Sequence, residues 1–174
     1  MVRRWLIGGL ALATMTLSAA GCGGSSSSNR SNGSNGSRAK SAGHRVPIDV
    51  IMQKGQALAT VSLKIHGRGP YVFVVDTGAS GSVIDRDTAK ALGLPVRGKP
   101  SRVTGVSCGG TGVKVAIDGW SAEGTALPAA MAVSTPLALT SKTHGVLRGL
   151  LGSDVLSHFG AVRLDYRAGT LTLG

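Results

Sequence analysis

Residues 74–82, VVDTGASGS, decide how this sequence is interpreted. They begin inside a run of strand-forming apolar residues, YVFVV (71–75), which leads into Asp76 and is followed at once by small residues. A carboxylate at the end of a buried strand costs several kcal/mol unless it is paired or neutralised. The position of Asp76 therefore requires a chemical reason.

The composition favours one domain that is built mostly from strands. The chain has 174 residues, of which 27 are Gly and only 3% are aromatic. Val, Leu, Thr and Ala must therefore fill the core, which favours strands that are joined by many tight turns. The length is sufficient for one ordinary domain once the N-terminal segments are set aside.

The positive charge of the chain is concentrated at its N-terminal end. The formal net charge is +11, but six of the 19 basic residues and none of the eight acidic residues precede residue 47. The other 13 basic and eight acidic residues give the rest of the chain a net charge of +5. This modest charge lacks the clustered basic stripe of a nucleic-acid interface, so nucleic acid is not an expected partner.

Residues 1–21 are predicted to be a signal peptide. Arg3 and Arg4 form a basic n-region, and WLIGGLALATMTL (5–17) is an apolar segment too short to span a bilayer comfortably. SAAGC, which ends at Cys22, resembles the lipobox of bacterial lipoproteins, in which the Cys is lipidated and becomes the new N-terminus. The resemblance implies lipid attachment at Cys22 and anchoring to the cell membrane on its extracytoplasmic side. An ordinary secretory signal that is cleaved nearby would instead give a secreted protein.

Residues 22–45 combine the lipid-attachment Cys with a Gly/Ser-rich linker. Gly, Ser and Asn cannot bury a core, so this segment is predicted to be disordered. A flexible chain of this length has an r.m.s. reach of roughly 25 Å, which suits a tether between a lipid and a domain. The folded domain is predicted to occupy residues 46–174. With lipid on Cys22, Cys108 is the only free thiol, and no intrachain disulfide can form.

Hydrophobic alternation predicts many strands and two short helices in this domain. One helix is predicted at residues 85–92, between Asp85 as its N-cap and Gly93 as its end. A second is predicted at residues 153–159, with Ser153 as its N-cap. Strands are predicted at residues 46–52, 57–65, 71–75, 101–107, 112–118, 121–127 and 129–134, and a hairpin at 161–173. The expected core residues of the second strand are Leu58, Val61, Leu63 and Ile65.

Several familiar site chemistries do not match this sequence. The four histidines have no metal-ligand spacing. GASGS (78–82) misses the G-x-S-x-G nucleophile elbow because Ser82 replaces the last Gly. GGTG near residue 110 lacks the Lys-Ser/Thr ending of a phosphate loop. No metal or cofactor is therefore expected.

The sequence DTGAS that begins at Asp76 resembles the catalytic motif of aspartic proteases, specifically of the single-lobe retropepsin-like family. The resemblance implies that Asp76 is catalytic, that Thr77 bonds its twin across a dimer axis, and that Gly78 allows a tight turn. This turn would bring amide N–H groups toward the carboxylate. The resemblance also implies that Ala79 and Ser80 lie in the substrate-binding part of the loop.

Two further segments strengthen the resemblance. GLLGSDVLSHFGAVRLDY (149–166) resembles the later element of this family, in which an apolar-apolar-Gly strand crosses behind the catalytic loop and leads into a short helix and a hairpin. TGVSCGG (104–110) lies where the family has its flap, a Gly-rich hairpin that closes over substrate. The implied substrate-binding residues of this flap are Gly105, Val106, Gly109 and Gly110. The resemblance covers residues 47–174 and implies a mostly β fold, namely a retropepsin-like closed β-barrel lobe with two short helices.

Peptide hydrolysis by this route needs two carboxylates that share one proton about a water molecule. The chain contains one Asp-Thr-Gly and no Asp-Ser-Gly, so the second carboxylate is expected from Asp76 of a second copy. The resemblance therefore implies a homodimeric aspartic-type endopeptidase, a hydrolase that needs no cofactor. It would act outside the cytoplasmic membrane on a peptide or protein substrate.

Two other interpretations are open at this point. A catalytically inactive module on the same fold would use its cleft or a sheet edge to bind a peptide or an envelope component. An anchored β domain with a chance Asp-Thr-Gly would have Asp76 far from any cleft. For the remaining acidic residues, helix capping is predicted for Asp85, Asp87 and Asp154, and turn or hairpin surface positions for Asp118 and Asp165.

Overall fold

The computed structural model describes residues 43–53, 55–103, 110–137, 140–141 and 145–174. The predicted signal peptide, Cys22, the linker up to residue 42, and residues 104–109 with Cys108 lie outside these ranges. The strands are β1 (His44–Pro47), β2 (Asp49–Gln53), β3 (Gln56–Ile65), β4 (Arg68–Val75), β5 (Val83–Asp85), β6 (Val96–Val103), β7 (Gly110–Ile117), β8 (Trp120–Ala122), β9 (Thr125–Ala126), β10 (Ala130–Thr135), β11 (Thr140–Ser141), β12 (Gly145–Val146), β13 (Gly149–Leu151), β14 (Val162–Asp165) and β15 (Thr170–Leu173). The helices are α1 (Arg86–Leu92) and α2 (Ser153–Leu156), and a 3-10 turn, η1 (Ser157–Phe159), follows α2. Within the described ranges, no helix is long and apolar enough to cross a membrane.

The mostly β class is confirmed, but the main sheet is open. Nine of its strands follow the order β6-β7-β10-β5-β13-β4-β3-β8-β9, and β2 pairs with β3 beside this path. The other sheets are β1-β15-β14 and the small pair β11-β12. The terminal strands β6 and β9 do not pair with each other, so the described strands do not form the closed barrel that was expected.

The two edges of the main sheet explain why it stays open. Closure requires two strand edges with matched hydrogen-bond stagger. At one edge, β9 contains only two residues. At the other edge, β6 contains Pro100, which has no N–H to donate, and Gly98, whose φ of 88° interrupts the strand.

Helix α1 forms where the sequence predicts it. Asp85 is its N-cap, and the Asp85 carboxylate accepts hydrogen bonds from the N–H and the hydroxyl of Thr88, both at 3.1 Å. Gly93 ends the helix in a left-handed conformation with φ of 67°. Asp85 is buried, and its Oδ1 accepts from the N–H of Leu137 at 3.3 Å. Nη1 of Arg148 lies 3.7 Å from Oδ2, the oxygen that Thr88 also binds. The predicted capping role of Asp85 is therefore confirmed.

Three local predictions are wrong. Residues 46–52 belong to two strands instead of one, because β1 ends at Pro47 and pairs with β15, whereas β2 begins at Asp49 and pairs with β3. Residues 121–127 form two short strands instead of one, because Glu123 and Gly124 turn between them with φ of 44° and 83°. Gly152, and not Ser153, is the N-cap of α2, and no side chain caps this helix. Ser153 is the first helical residue and uses its hydroxyl elsewhere.

The main core lies on one face of β3 and β4. Val61, Leu63 and Ile65 are buried there as predicted, together with Phe73 of β4. Leu58 is only half-buried and packs into a second, smaller cluster. Alternation along β3 explains the difference, because residue 58 lies on the opposite face from residues 61, 63 and 65.

Strand β13 lies between β4 and β5 in the interior of the main sheet. It pairs with β4 in parallel and with β5 in antiparallel orientation. Gly149 makes this insertion possible, because a Cβ there would lie 2.6 Å from Cδ1 of Phe73 and would also overlap the carbonyl oxygen of Val83. Since parallel strands end at the same edge of a sheet, Asp76 after β4 and Gly152 after β13 lie side by side.

Candidate active site

Asp76 is the first residue after β4, and the sheet pairing continues to it. Val74 and Val75 pair with Leu150 and Leu151 of β13, and the N–H of Asp76 donates to the carbonyl oxygen of Leu151 at 3.0 Å. Residues 76–82, called here the Asp76 loop, then connect β4 to β5. The backbone of Asp76 is therefore fixed by the sheet before the loop begins.

Within the described residues, hydrogen bonds reach one oxygen of the Asp76 carboxylate. Oδ1 accepts hydrogen bonds from the N–H of Gly78 at 3.0 Å and from the N–H of Ala79 at 3.1 Å. Among the described residues, none donates to Oδ2 of this half-buried side chain. The arrangement leaves one carboxylate oxygen for a water molecule, a substrate or a second carboxyl group.

The tip of the Asp76 loop faces outward. Thr77, Gly78 and Ser80 are exposed, and Ala79 is half-buried. Gly78 does not have a positive φ, and a Cβ there would lie at an ordinary distance of 3.4 Å from Oδ1 of Asp76. Gly78 therefore contributes its N–H and places no side chain beside Oδ1 of Asp76. It does not supply a backbone conformation that only glycine adopts.

A small apolar cluster lies on the face of β4 that leads to Asp76. Side chains alternate along β4, so Val72 and Val74 face away from the main core, and Asp76 is next in the same alternation. Leu58 and Leu150 from the neighbouring strands belong to the same small cluster and are half-buried. The strand that ends at Asp76 thus carries apolar side chains on this face, and three members of the cluster, Leu58, Val72 and Leu150, stay partly accessible.

Three polar residues that the sequence analysis did not assign to the site hold the Asp76 loop. Ser82 is fully buried, and its hydroxyl donates to Oδ1 of Asp154 at 2.7 Å and accepts from the N–H of Gly152 at 3.0 Å. The N–H and the hydroxyl of Ser153 both donate to the carbonyl oxygen of Ala79, at 2.9 and 2.8 Å. The sequence offered one sign of this network, namely that the small polar residue Ser82 directly precedes β5.

The predicted flap is partly described. Val103 of β6 pairs with Gly110 of β7, so residues 104–109 connect the two arms of an antiparallel hairpin. Gly110 is exposed at the start of β7, whereas Gly105, Val106 and Gly109 lie outside the described residues. Nη2 of Arg86, at the start of α1, donates to the carbonyl oxygen of Thr111 at 2.7 Å and ties α1 to this hairpin.

All eight acidic residues of the chain lie within the described residues, and residues 76–82 contain no acidic residue other than Asp76. Asp154 was predicted to cap a helix, but Gly152 is the N-cap of α2 and no side chain caps it. The carboxylate of Asp154 accepts from the N–H of Val155 at 3.0 Å and from the hydroxyl of Ser82. The others belong to other elements: Asp49 to β2, Asp85 and Asp87 to α1 and its cap, and Asp118, Glu123 and Asp165 to turns or strand ends. In the same ranges, no three His, Cys, Asp or Glu side chains are grouped so that they could hold a metal ion.

The family model that matches this chain covers the Asp76 loop. The model of a family described as aspartyl protease matches residues 61–155, a range that runs from β3 to α2 and contains the whole Asp76 loop. The crystal structure of a retropepsin-like aspartic protease from Rickettsia conorii is 19% identical, with a TM-score of 0.48 over 74% of this chain and 90% of that chain. No curated protein matches the chain.

Proposed function

The chain belongs to the aspartyl protease family, and we propose that it is an aspartic-type endopeptidase whose catalytic dyad combines Asp76 from two chains. The observation that supports this proposal best is the asymmetry of the carboxylate. Two backbone N–H groups bind Oδ1, while no described residue binds Oδ2. Asp154 also contacts the Asp76 loop, but its carboxylate accepts from the hydroxyl of Ser82 and the N–H of Val155, so a second copy is the simplest source of the second carboxyl group.

The proposed reaction uses the two Asp76 side chains in different protonation states. Two carboxylates so close together cannot both ionise easily, so the pair retains one proton. The ionised member takes a proton from the water as the water attacks the peptide carbonyl, and the protonated member donates to the carbonyl oxygen. The N–H groups of Gly78 and Ala79 keep each carboxylate in place, and the uncovered oxygens meet at the water.

The surroundings of Asp76 suggest which side chains the substrate carries. Leu58, Val72 and Leu150 form a half-buried apolar surface on the face where Asp76 lies. Side chains of the substrate that bury this surface gain roughly 25 cal/mol for each Å² removed from water. We therefore propose peptides with apolar residues beside the scissile bond, as opposed to charged ones.

A dyad that is shared between chains makes activity depend on concentration. We expect the specific activity to rise as the total protein passes through the dimer dissociation constant, because only the dimer has both carboxylates. Activity assays over a dilution series, with sedimentation measured on the same samples, check this. Constant specific activity in samples that sediment as monomers would contradict the shared dyad.

Anchoring at Cys22 would assist this assembly, and it is proposed from the sequence alone. Tethering confines the domains to a layer and raises their effective concentration. We expect mass spectrometry of the full chain to show acyl groups on Cys22, and Cys22→Ala to release the protein from the membrane fraction or to stall its precursor. An unmodified Cys22 together with unchanged fractionation of the variant would reject lipid anchoring.

A further inference from the structure

The tetrapeptide 151–154, Leu-Gly-Ser-Asp, contacts the Asp76 loop through each of its four residues. Leu151 accepts from the N–H of Asp76, Gly152 donates to the hydroxyl of Ser82, Ser153 donates to Ala79, and Asp154 accepts from Ser82. We infer that the side chains of Ser153 and Asp154 are positioning residues that set the geometry of the Asp76 carboxylate. The inference deepens the proposed function and rests on it, but its test includes a measurement that needs no activity.

Ser153 acts on Asp76 through one intervening residue, Ala79. The N–H and the hydroxyl of Ser153 converge on the carbonyl oxygen of Ala79, at 2.9 and 2.8 Å. The N–H of the same Ala79 donates to Oδ1 of Asp76 at 3.1 Å. Because both polar groups of Ala79 are engaged, the orientation of its N–H toward the carboxylate depends on the pair of bonds from Ser153.

Asp154 fixes the other end of the loop through Ser82. The hydroxyl of Ser82 is fully buried and has both a donor and an acceptor role, toward Asp154 at 2.7 Å and from Gly152 at 3.0 Å. The carbonyl oxygen of Ser82 accepts from the N–H of Val133 in β10 at 2.9 Å. The last residue of the loop is therefore held on the side of α2 and on the side of β10, so the loop cannot shift as a rigid unit.

Direct packing of the two backbones transmits small displacements. A Cβ on Gly152 would lie 2.7 and 2.8 Å from the carbonyl carbon and oxygen of Gly81, so no side chain separates the tetrapeptide from the loop. Movement of residues 152–154 would therefore distort the Asp76 loop, whose last residue stays bound to β10. Displacements of about 1 Å at a reacting group can lower rates by up to about a hundredfold.

The simpler alternative is that Ser153 and Asp154 only stabilise α2. This helix has four residues and no side-chain cap, and the hydroxyl of Ser153, its first residue, bonds to the loop instead of to the helix. The carboxylate of Asp154 also accepts its shorter hydrogen bond, 2.7 Å, from the loop and its longer one, 3.0 Å, from the helix. Both side chains therefore direct polar groups toward the loop that carries Asp76.

The first test compares deletion of each polar group with its conservative replacement. We expect Ser153→Ala and Asp154→Ala to lower kcat about tenfold while KM changes less than about twofold, since the carboxylate is displaced but the apolar substrate surface is intact. Ser153→Thr and Asp154→Asn keep the hydroxyl and the acceptor oxygen, so they should retain kcat within about threefold. The control is Thr170→Val, which removes a hydroxyl that donates to the carbonyl oxygen of Ala168 at 3.0 Å in the C-terminal hairpin and should leave kcat unchanged.

The second test measures the loop itself by hydrogen exchange of the full chain. We expect peptides spanning residues 77–82 to exchange at least about fivefold faster in Ser153→Ala than in the wild type, with peptides of β3 and β4 unchanged. Unchanged exchange of residues 77–82 in both alanine variants would overturn the inference, as would full loss of kcat in Asp154→Asn. A wild type that cleaves no peptide but shows the expected exchange pattern would reject the proposed function and keep the positioning role.

Discussion

The Asp76→Asn variant is expected to lose peptide cleavage by about a thousandfold or more and to keep its fold. The amide oxygen of Asn accepts from the N–H groups of Gly78 and Ala79 as Oδ1 of Asp76 does, at 3.0 and 3.1 Å, so the loop has no reason to rearrange. The amide can neither take a proton from the water nor carry the proton that the pair shares. The loss therefore reports the chemistry of the carboxyl group, and the measurement is kcat/KM on a peptide with apolar residues.

A matched control for this variant is Asp87→Asn. Asp87 is exposed in the first turn of α1, so the substitution removes the same charge outside the Asp76 loop. We expect the control to keep its activity within about twofold and to lose at most about 1 kcal/mol of stability through the helix dipole. Equal activity of Asp76→Asn and the wild type would end the interpretation of this chain as an aspartic peptidase.

Among the variants proposed for this protein, Gly149→Ala is expected to lose the most free energy of unfolding. A Cβ at this position would lie 2.6 Å from Cδ1 of Phe73 and would overlap the carbonyl oxygen of Val83, so β4, β13 and β5 cannot keep their spacing. Overpacking of this kind costs about 3 kcal/mol, which should appear as a lower midpoint in urea unfolding. Because β13 supplies the acceptor for the N–H of Asp76, folded Gly149→Ala should also be less active.

Gly110→Ala is the control for this prediction. Gly110 is also in a strand, and a Cβ there would meet only Oγ1 of Thr135 at 3.8 Å. We expect its unfolding free energy to stay within about 0.5 kcal/mol of that of the wild type, as for most exposed substitutions. If both glycine variants unfold at the same urea concentration, the tight insertion of β13 is wrong.

The sequence predicted the parts of the site that depend on neighbouring residues. The apolar run 71–75 ends at Asp76, and Asp85 and Gly93 cap the two ends of α1. These features were predictable because strand alternation and helix caps depend on residues only a few positions apart. The aspartyl protease family that the Asp-Thr-Gly motif indicated is also confirmed.

The parts that sequence reasoning missed depend on contacts between distant residues. Ser82 and Asp154 are 72 positions apart, and Ser153 and Ala79 are 74 apart, so no local pattern assigned them to one network. Ser153 has the residue type of a helix cap, and its partner in the Asp76 loop draws its hydroxyl away from that role. The expected closure of the barrel failed for a similar reason, since it depends on how the edges of β6 and β9 match in space.

The central claim, that Asp76 from two chains forms one dyad, is tested most directly by mixing wild-type protein with Asp76→Asn. After subunits exchange in a ninefold excess of the variant, about one tenth of the wild-type chains are paired with each other. With substrate in excess, the shared dyad predicts that activity per wild-type chain falls to about a tenth of its value without the variant. Activity per wild-type chain that stays constant in mixtures shown to contain mixed dimers would contradict the shared dyad.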